Sequence, residues 1–490
     1  SRVSRGLGDV YKRQLGYLPG SPERAELKAE LLRQSAEVIE IPCIINGVEV
    51  YTDNVVEQVM PHNHSHVIAR VHMAGEQEVN NAINAALSAH KNWSTMPWEA
   101  RGAIFLKASE LLKGEYRAKI NASTMINQSK TCHQAEIDSA CELIDFWRFN
   151  VQYAREIYED LQPPVSPSSM WNSSEVRPLE GFVFSVTPFN FSSIAANLPS
   201  SAAIMGNTGV WKPSRNSYLS NYYLMRLMMD AGLPDGVINF IPGKASMIGD
   251  ICLSHPMLAG IHFTGSTSVF RQMWKDVANN LANLRSYPRI VGETGGKDFI
   301  VAHPNCDQKA LTVALIRGAF EYQGQKCSAA SRAYIPESVW NAIKDDYVNE
   351  VSKISVGDPK DFSNFMGAVI DRKSFDNIAG YIDRANRDSG CEIVTGGEYD
   401  DSTGYFVQPT TIVCSDPNYE TMAEEIFGPV LSIYVYPDHE FIETLDLCDN
   451  TSEYALTGSI FAANREDIEV AMAALRLSLI HISEPTRHTR

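Results

Sequence analysis

The sequence predicts an α/β fold with two sheet-centred units, and three observations support this prediction. From Gly181 onward, short apolar segments typical of strands alternate with longer segments whose apolar residues recur at helical spacing. Polar residues suited to ligand binding fall at the predicted carboxyl ends of these strands, where such sheets bind their ligands. The same alternation starts again after Gly296. A chain of 490 residues is long enough for two or three domains.

The first unit is predicted to be a parallel sheet covered by helices, because its strands are apolar along their whole length. The predicted strands span 182–186, 209–212, 237–241 and 260–263, and the predicted helices span 192–205, 217–231, 244–254 and 268–278. Upstream, we predict helices over 22–40 and 136–158 and a hairpin over 44–50, turning at Asn46 and Gly47. Residues 162–174 are rich in Pro and Ser and indicate a linker or excursion.

The second unit repeats this pattern after Gly296. Its predicted strands span 299–302, 332–335 and 431–436. Its predicted helices span 308–320, 338–354, 375–386 and 466–475.

The composition argues against several classes of protein. A formal net charge of −17 disfavours binding to nucleic-acid backbones. No apolar run approaches the roughly 18 residues needed to span a bilayer. Nine cysteines scattered without close pairs indicate a reducing compartment, not a disulfide framework.

Three histidines alternate along one extended segment, His62, His64 and His66, which places them on one face. A metal site is one interpretation of this pattern. Hydrogen-bonded or solvated histidines are the favoured one, because no cysteine or carboxylate cluster accompanies them. We therefore predict no metal.

One cysteine is distinguished by its place in a loop. Cys327 follows a helix-like run and the turn formers Gly324 and Gln325. Cysteine is the side chain that most readily becomes a nucleophile near neutral pH, with a free pKa of roughly 8.5. Upstream, Glu293 lies in a glycine-rich run where the backbone can approach a ligand closely, and a carboxylate can take a proton from water or a thiol. Neither residue is decisive alone, since most loop cysteines are structural.

Other candidate residues follow predicted strands of the first unit. The Asn190 amide could donate to a developing oxyanion, or it could cap the helix that follows. Lys212 could neutralise a phosphate or bind a ribose hydroxyl, or it could be an ordinary surface lysine.

Two further candidates suit a nucleotide. Gly265 and Ser266 end a strand where a helix begins, and the free N–H groups there would favour a pyrophosphate. The standard GxGxxG fingerprint is absent, so it gives no support. Glu425 could hold a ribose, or it could be a solvated charge.

Together these segments resemble the aldehyde dehydrogenase superfamily in kind and in order, from about Tyr17 to Arg476. The resemblance is carried by EGFV at 180–183, TPFNF at 187–191, GETGGK at 292–297, GQKCSA at 324–329, VGDP at 356–359 and EEIFGPV at 424–430. Within the superfamily, AEID at 135–138 and LIDFWRFN at 143–150 are similar to the branch that oxidises glutamate γ-semialdehyde to glutamate in proline breakdown.

The resemblance implies a role for each candidate. Cys327 attacks the aldehyde carbonyl, Asn190 and the Cys327 backbone N–H hold the oxyanion, and Glu293 activates the water that releases the acid. NAD is the implied cofactor, with NADP possible. The residues implied to line its site are Thr187, Lys212, Gly265, Ser266, Thr267, Ser268, Val269, Glu425 and Phe427.

The resemblance also implies a domain organisation. A Rossmann-like cofactor domain would occupy 15–161 and 180–295, and a second α/β catalytic domain would occupy 296–476. A small oligomerisation arm would occupy 162–179, making a homodimer or higher homo-oligomer the expected assembly. The other expected partner is a small aldehyde, with no nucleic acid and no membrane span.

The chain departs from the resemblance in two ways. Arg215 stands where relatives of this branch commonly carry an acidic residue near the adenosine ribose, and an arginine could accept the 2′-phosphate of NADP. Residues 1–14 and 477–490 are expected to be non-native junctions. Relatives are expected to continue for roughly 75–90 residues more, a part that would include the anchor for the substrate's α-carboxylate and amine.

Two other functions stay open on the sequence: oxidation of another semialdehyde, such as succinic semialdehyde, and a catalytically inactive relative. The expected location is the mitochondrial matrix, with the cytoplasm as the alternative for a bacterial protein.

Overall fold

The computed structural model describes residues 14–476, and the chain divides into two compact units. Among the described residues, unit 1 contains 14–60, 65–128 and 132–293. Unit 2 contains the short segments 61–64 and 129–131 together with 294–476. The two suspected non-native junctions, 1–14 and 477–490, lie outside the described residues except for Gln14.

Ten strands lie wholly or mostly in unit 1. They are β1 (Ile39–Ile41), β2 (Cys43–Ile45), β3 (Val48–Val50), β4 (Val55–Met60), β5 (Asn63–His72), β6 (Phe182–Val186), β7 (Thr208–Lys212), β8 (Ile238–Phe240), β9 (Leu258–Gly265) and β10 (Arg289–Thr294). The main sheet has the order β10-β9-β6-β7-β8-β2-β3, and a second sheet has the order β1-β5-β4. Strands β9, β6, β7 and β8 pair in parallel, which confirms the predicted parallel sheet.

The helices of unit 1 cover this sheet and build the N-terminal region. They are α1 (Pro22–Ala36), α2 (Glu76–Trp93), α3 (Trp98–Lys113), α4 (Arg117–Gln128), α5 (Cys132–Ala135), α6 (Glu142–Arg155), α7 (Ser192–Ile204), α8 (Tyr218–Asp230), α9 (Ala245–Ser254) and α10 (Thr267–Asn280). Apolar residues of α2, α9 and α10 pack with Phe182 and Phe184 of β6 in one buried core. The four predicted helices after Gly181 all form, with ends within two residues of prediction.

The predicted hairpin also forms, and its turn shows why. Asn46 and Gly47 both adopt positive φ, at 52° and 75°, between β2 and β3. This is the backbone that a two-residue turn of the I′ type requires, and Asn-Gly is the preferred pair for it.

The predicted helix over 136–158 is not a continuous α-helix. A π-helical turn spans Glu136–Cys141, α6 follows it, and a second π-helical turn spans Glu156–Asp160. The first of these turns carries Glu136, whose fully buried carboxylate accepts bonds from Arg117, Asn121 and the Tyr17 hydroxyl. Apolar periodicity does not encode a polar contact of this kind, so the sequence pattern missed the break.

Residues 161–181 form no helix or strand and carry exposed apolar side chains. Val165 is 71% exposed, Met170 67% and Trp171 89%. Exposed apolar side chains that lie close together often mark a surface that binds another molecule. The absence of a helix or strand over 162–174 agrees with the predicted linker or excursion, and its role in assembly stays a prediction.

Unit 2 is organised around one six-stranded sheet and a small hairpin. Its strands are β11 (Phe299–Ala302), β12 (Arg332–Pro336), β13 (Cys391–Thr395), β14 (Tyr399–Asp400), β15 (Phe406–Val407), β16 (Thr410–Cys414), β17 (Val430–Tyr436) and β18 (Gly458–Phe461). The sheet has the order β13-β16-β17-β12-β11-β18, and β14 pairs with β15. Only the edge strand β13 of this sheet is antiparallel to its neighbour.

The helices of unit 2 pack on both faces of its sheet, in two separate buried clusters. They are α11 (Gln308–Phe320), α12 (Glu337–Val351), α13 (Arg372–Arg387), α14 (Glu420–Ala423), α15 (Phe441–Asn450) and α16 (Arg465–Ala474). The sequence predicted α11 and β11 at their observed bounds. It did not predict β13–β16, α14, α15 or β18. Of these, β13 and β18 lack fully buried residues, and β14, β15 and α14 have four residues or fewer.

His62, His64 and His66 do not converge on one point. His62 Nδ1 lies 3.2 Å from Ser129 Oγ, His64 Nε2 lies 2.8 Å from the Asp401 carbonyl, and His66 Nε2 lies 2.8 Å from the Ser35 carbonyl. Each histidine thus has its own hydrogen-bonded setting, as the favoured interpretation proposed.

Candidate active site

Three strand ends lie side by side in unit 1 and carry several of the candidate residues. Val186, the last residue of β6, is in register with Lys212 on one side and with Phe263 on the other. The segment 187–190, Lys212 and the turn after Phe263 therefore begin at the same edge of the sheet. This edge is where parallel α/β sheets bind ligands.

Thr187 is held against the neighbouring strand. Its Oγ1 accepts from Trp211 Nε1 at 2.9 Å, and its backbone N–H donates to the Lys212 carbonyl at 3.3 Å. Thr187 is buried, so this contact fixes where the chain leaves the sheet.

Asn190 lies in the turn between β6 and α7 and is buried. The N-cap of α7 is Phe191, not Asn190. The alternative that Asn190 caps this helix therefore loses its support. The amide of Gln128 donates to the Phe189 carbonyl, and Gln128 Oε1 accepts from Ser192 Oγ at 3.2 Å. These two buried side chains, which the sequence did not single out, fix the turn that presents Asn190.

Lys212 ends β7 and is buried rather than exposed at the surface. The interpretation of Lys212 as an ordinary surface lysine is therefore wrong. Burial lowers its pKa to about 8, because a charged ammonium loses hydration inside the protein. Beyond it, Arg215 lies exposed in the turn that leads to α8.

The N-terminus of α10 is open at the surface. Its N-cap residue is Ser266, which is exposed and whose side chain makes no capping hydrogen bond. The backbone N–H groups of the first turn are therefore left to an external acceptor, and the helix dipole favours a negative one. Gly265 packs against the Phe263 ring, and a Cβ there would lie 2.8 Å from it.

Glu293 lies near the end of β10 and is half-buried. The residue before it, Gly292, has no room for a side chain, because a Cβ there would lie 2.3 Å from the ring of Phe270. Phe270 in turn stacks on Phe263, with ring centroids 5.3 Å apart. A rigid apolar contact thus sets the path of the strand that carries Glu293.

In unit 2, Cys327 follows a strained turn. Three successive residues adopt left-handed backbone: Tyr322 at φ 51°, Gln323 at φ 55° and Gly324 at φ 65°. Such a conformation costs on the order of 1–3 kcal/mol for each non-glycine residue and persists only when its surroundings enforce it. Strained backbone of this kind clusters at functional sites, so the turn marks the loop of Cys327 as a candidate site.

Two buried glutamines enforce this turn. Gln323 Nε2 donates to the carbonyls of Ala368 at 2.7 Å and Ser129 at 3.1 Å. Gln325 Oε1 accepts from the Ile370 backbone N–H at 2.9 Å. Cys327 itself is half-buried. The sequence had singled out Gln325 only as a turn former and had assigned Gln323 no role, although both stand within four residues of the thiol.

Gly324 brings the cysteine loop against a second candidate segment. A Cβ at Gly324 would lie 2.2 Å from the Gly428 carbonyl oxygen, in the turn that also contains Phe427 and Glu425. Phe427 shares the left-handed backbone, with φ 57°. Unit 2 therefore brings the cysteine loop and the Glu425 turn together.

We expect Gly324→Ala to destabilise unit 2 by about 3 kcal/mol, because alanine would face both a left-handed φ and a clash with backbone. The measurement is the free energy of unfolding in urea. Gly380→Ala is the matched control, since Gly380 lies within α13 and a Cβ there meets only the flexible end of Arg384. Equal free energies of unfolding for the two variants would show that the contact between Gly324 and the Gly428 carbonyl does not stabilise the protein.

Glu425 lies against two glycines of the 292–297 segment. A Cβ on Gly295 would lie 1.8 Å from Glu425 Oε1, and the Gly296 backbone N–H donates to the carboxylate. Its side chain is accessible to solvent, yet surrounding protein desolvates it and raises its pKa to about 7, against the attraction of Lys297. Lys297 is fully buried, and burial lowers its pKa to about 7.

The candidates thus fall into two groups, one in each unit. Unit 1 brings together Thr187, Lys212 and Gly265, with Asn190 in the adjoining turn, and α10 adds Ser266–Val269. Unit 2 brings together the loop of Cys327 and the turn of Glu425. The meeting of Cys327 with Asn190 and Glu293 stays a prediction.

Comparison with known proteins gives a consistent result. A model of the aldehyde dehydrogenase family matches residues 49–490. A Δ1-pyrroline-5-carboxylate dehydrogenase of Agaricus bisporus is 49% identical over 459 residues, which cover 93% of this chain and 84% of that protein. The mitochondrial enzyme of that name from Homo sapiens is 45% identical over 463 residues, covering 94% and 82%.

Solved structures agree with these relatives. A Mycobacterium tuberculosis Δ-pyrroline-5-carboxylate dehydrogenase bound with NAD superimposes with a TM-score of 0.91 at 46% identity. The match covers 95% of this chain and 85% of that one. This chain therefore has the same α/β architecture as that crystal structure.

Proposed function

Because this chain belongs to the aldehyde dehydrogenase family, we propose that it oxidises L-glutamate γ-semialdehyde to L-glutamate with NAD. The observation that carries this proposal is the identity of 45–49% to two Δ1-pyrroline-5-carboxylate dehydrogenases, each aligned over more than nine tenths of this chain. The semialdehyde is the ring-opened form of Δ1-pyrroline-5-carboxylate. The reaction would be the second step of proline breakdown.

Most of the residues proposed to bind NAD lie in unit 1. The uncapped N-terminus of α10 offers backbone N–H groups to a pyrophosphate, with Ser266 and Ser268 at its edge. Thr187 and Lys212 stand at the neighbouring strand ends, where a ribose would be held. Thr267 and Val269 complete the first turn of the helix. Glu425 and Phe427 of unit 2 belong to the same proposed set of cofactor-binding residues. When bound, NAD supplies the hydride acceptor.

The chemistry of this chain would centre on Cys327. Its thiolate adds to the aldehyde carbon and forms a C–S bond, which gives a tethered thiohemiacetal in place of a freely tumbling aldehyde hydrate. Asn190 and the Cys327 backbone N–H would hold the oxyanion, a contact typically worth about 3–4 kcal/mol. Loss of hydride from this intermediate leaves a thioester on Cys327.

Glu293 would complete the reaction. Its carboxylate takes a proton from water as the water oxygen attacks the thioester carbon. The C–S bond then breaks, releasing the acid and returning Cys327 as the thiolate, and Glu293 passes its proton to solvent. The half-buried setting of Glu293 allows water to reach it.

The function is tested by measuring kcat/KM for a panel of aldehydes with the purified full-length protein. We expect glutamate γ-semialdehyde to exceed succinic semialdehyde by at least about 10-fold, since the latter lacks the α-amino group and is one carbon shorter. Preference for succinic semialdehyde would establish the alternative substrate. No turnover of any aldehyde by a folded, NAD-binding protein would establish the inactive relative.

Cofactor choice gives a separate prediction. Arg215 is exposed beside the proposed adenosine site and can pair with a 2′-phosphate. We expect Arg215→Asp to lower kcat/KM with NADP by about 10-fold while changing that with NAD by less than about 2-fold. A NADP activity that the substitution leaves unchanged would show that Arg215 does not contact the phosphate.

Location and assembly extend the proposal. Relatives from Dictyostelium discoideum and Homo sapiens bear mitochondrial names, which supports the mitochondrial matrix for this chain, with the cytoplasm as the alternative if its source is bacterial.

Exposed Val165, Met170 and Trp171 support a role of 162–179 in a homodimer or higher homo-oligomer. Among the residues the structure describes, no helix is both long and apolar enough to cross a bilayer. The functional division into a cofactor domain before Gly296 and a catalytic domain after it belongs to the same proposal.

A further inference from the structure

Two cysteines lie directly opposite each other at the edge of the unit 2 sheet. Cys391 is the first residue of β13 and Cys414 the last of β16, and the two are registered partners in this antiparallel pair. Their Sγ atoms are 3.9 Å apart, and both are free thiols. Directly opposed residues of antiparallel strands have Cα atoms about 4.5–5.5 Å apart, which falls inside the range of about 4.4–6.8 Å that disulfides need.

The two thiols differ in access to solvent. Cys391 is half-buried, whereas Cys414 is only 2% exposed. The hydroxyl of Tyr419 bonds to the Cys391 thiol, and the Thr421 hydroxyl lies 3.6 Å from Cys414 Sγ. A reagent from solvent therefore meets Cys391 first, with Cys414 behind it as the second thiol.

We propose that Cys391 and Cys414 are a modification site at which a small disulfide forms a reversible covalent link between β13 and β16. The two residues are separated by 23 positions in sequence, and only the strand register brings them together. The link does not involve Cys327, so it is independent of the proposed activity.

The exchange balances in two steps. The Cys391 thiolate attacks one sulfur of the small disulfide, whose S–S bond breaks and releases one small thiol. The Cys414 thiolate then attacks the Cys391 sulfur of the mixed disulfide and releases the second small thiol. Two electrons pass from the protein to the reagent, and the two protein protons end on the released thiols.

Burial shapes the rate of this exchange. It raises the pKa of Cys391 above its usual value and that of Cys414 to about 12, because a thiolate loses hydration inside the protein. The link therefore forms slowly at neutral pH. Once formed, it is shielded, since one of its sulfurs is buried from attacking thiols.

The position of the link gives it a structural effect. Strand β13 is the antiparallel edge of the sheet, and its pairing with β16 is irregular between Ile393 and Thr395. An edge strand held by one neighbour separates more easily than a central strand. A covalent bond at Cys391 would hold the start of that strand in place.

The test is mass spectrometry of the full chain after incubation with glutathione disulfide, using Cys327→Ala protein to remove the competing loop thiol. We expect a non-reducing digest to contain a peptide pair joining 391 to 414, lighter by two hydrogens than the sum of its parts. The pair should vanish in Cys391→Ser and persist in Cys306→Ala, which changes another thiol of unit 2. The unfolding midpoint of the oxidised protein should rise by about 5 °C, and not in Cys391→Ser.

The result that would overturn the proposal can be seen without substituting Cys391 or Cys414. If both thiols are still alkylated as free groups after prolonged exposure, or each is found joined only to glutathione, the proposal is wrong. Either result would leave the proposed aldehyde oxidation untouched.

Discussion

Replacing Cys327 with alanine is expected to lower kcat for aldehyde oxidation by at least about 10⁴-fold, because no other group would form the covalent intermediate. Binding of NAD, measured by calorimetry, should change little, since the strand ends and α10 are untouched. This separation of turnover from binding is what the proposed role requires.

Cys306→Ala is the matched control for this substitution. Cys306 is a buried thiol of the same unit, on the turn between β11 and α11, and the mechanism gives it no role. We expect Cys306→Ala to keep its activity within about 3-fold of the unaltered protein. Substantial aldehyde oxidation by the Cys327 variant would overturn the assignment of the nucleophile.

Substituting Glu293 with glutamine is expected to separate the two halves of the reaction. The amide keeps the size of the side chain but cannot take a proton from water. We expect steady-state kcat to fall by on the order of 10³-fold, while the first turnover still produces about one equivalent of reduced cofactor per active site.

Rapid mixing checks this expectation, with intact mass measured after the first turnover. The mass should rise by that of the acyl group, since the thioester forms on Cys327 and is not hydrolysed. If the first turnover is lost to the same extent as the steady state, Glu293 acts before the thioester forms, and the proposed division of roles fails.

The sequence predicted elements well where apolar runs are bounded by turn formers or caps. Strands β6 and β11 and helix α11 have their predicted bounds. Asp307 caps α11 by accepting from the N–H groups of Lys309 and Ala310, a signal readable from the chain itself. Short strands with partly exposed residues, such as β13 and β18, were missed because local hydrophobicity does not distinguish them from loops.

The site was predicted as a set of residues, but its geometry was not. Left-handed backbone at Tyr322 and Gln323 is unusual for bulky side chains, so no local pattern indicates it. It exists because Gln323 reaches carbonyls 194 and 45 positions away in sequence. The opposition of Cys391 and Cys414 was hidden for the same reason, since strand register is a property of the folded sheet.

The left-handed turn before Cys327 also has a consequence for the order of folding. Its strain is offset only when Gln323 bonds to the segments at Ser129 and Ala368, and those segments come from distant parts of the chain. A refolding molecule that already has its helices and sheet therefore still lacks the final shape of this loop. Recovered circular dichroism should precede recovered turnover, with the reactive thiol among the last groups to reach its native position.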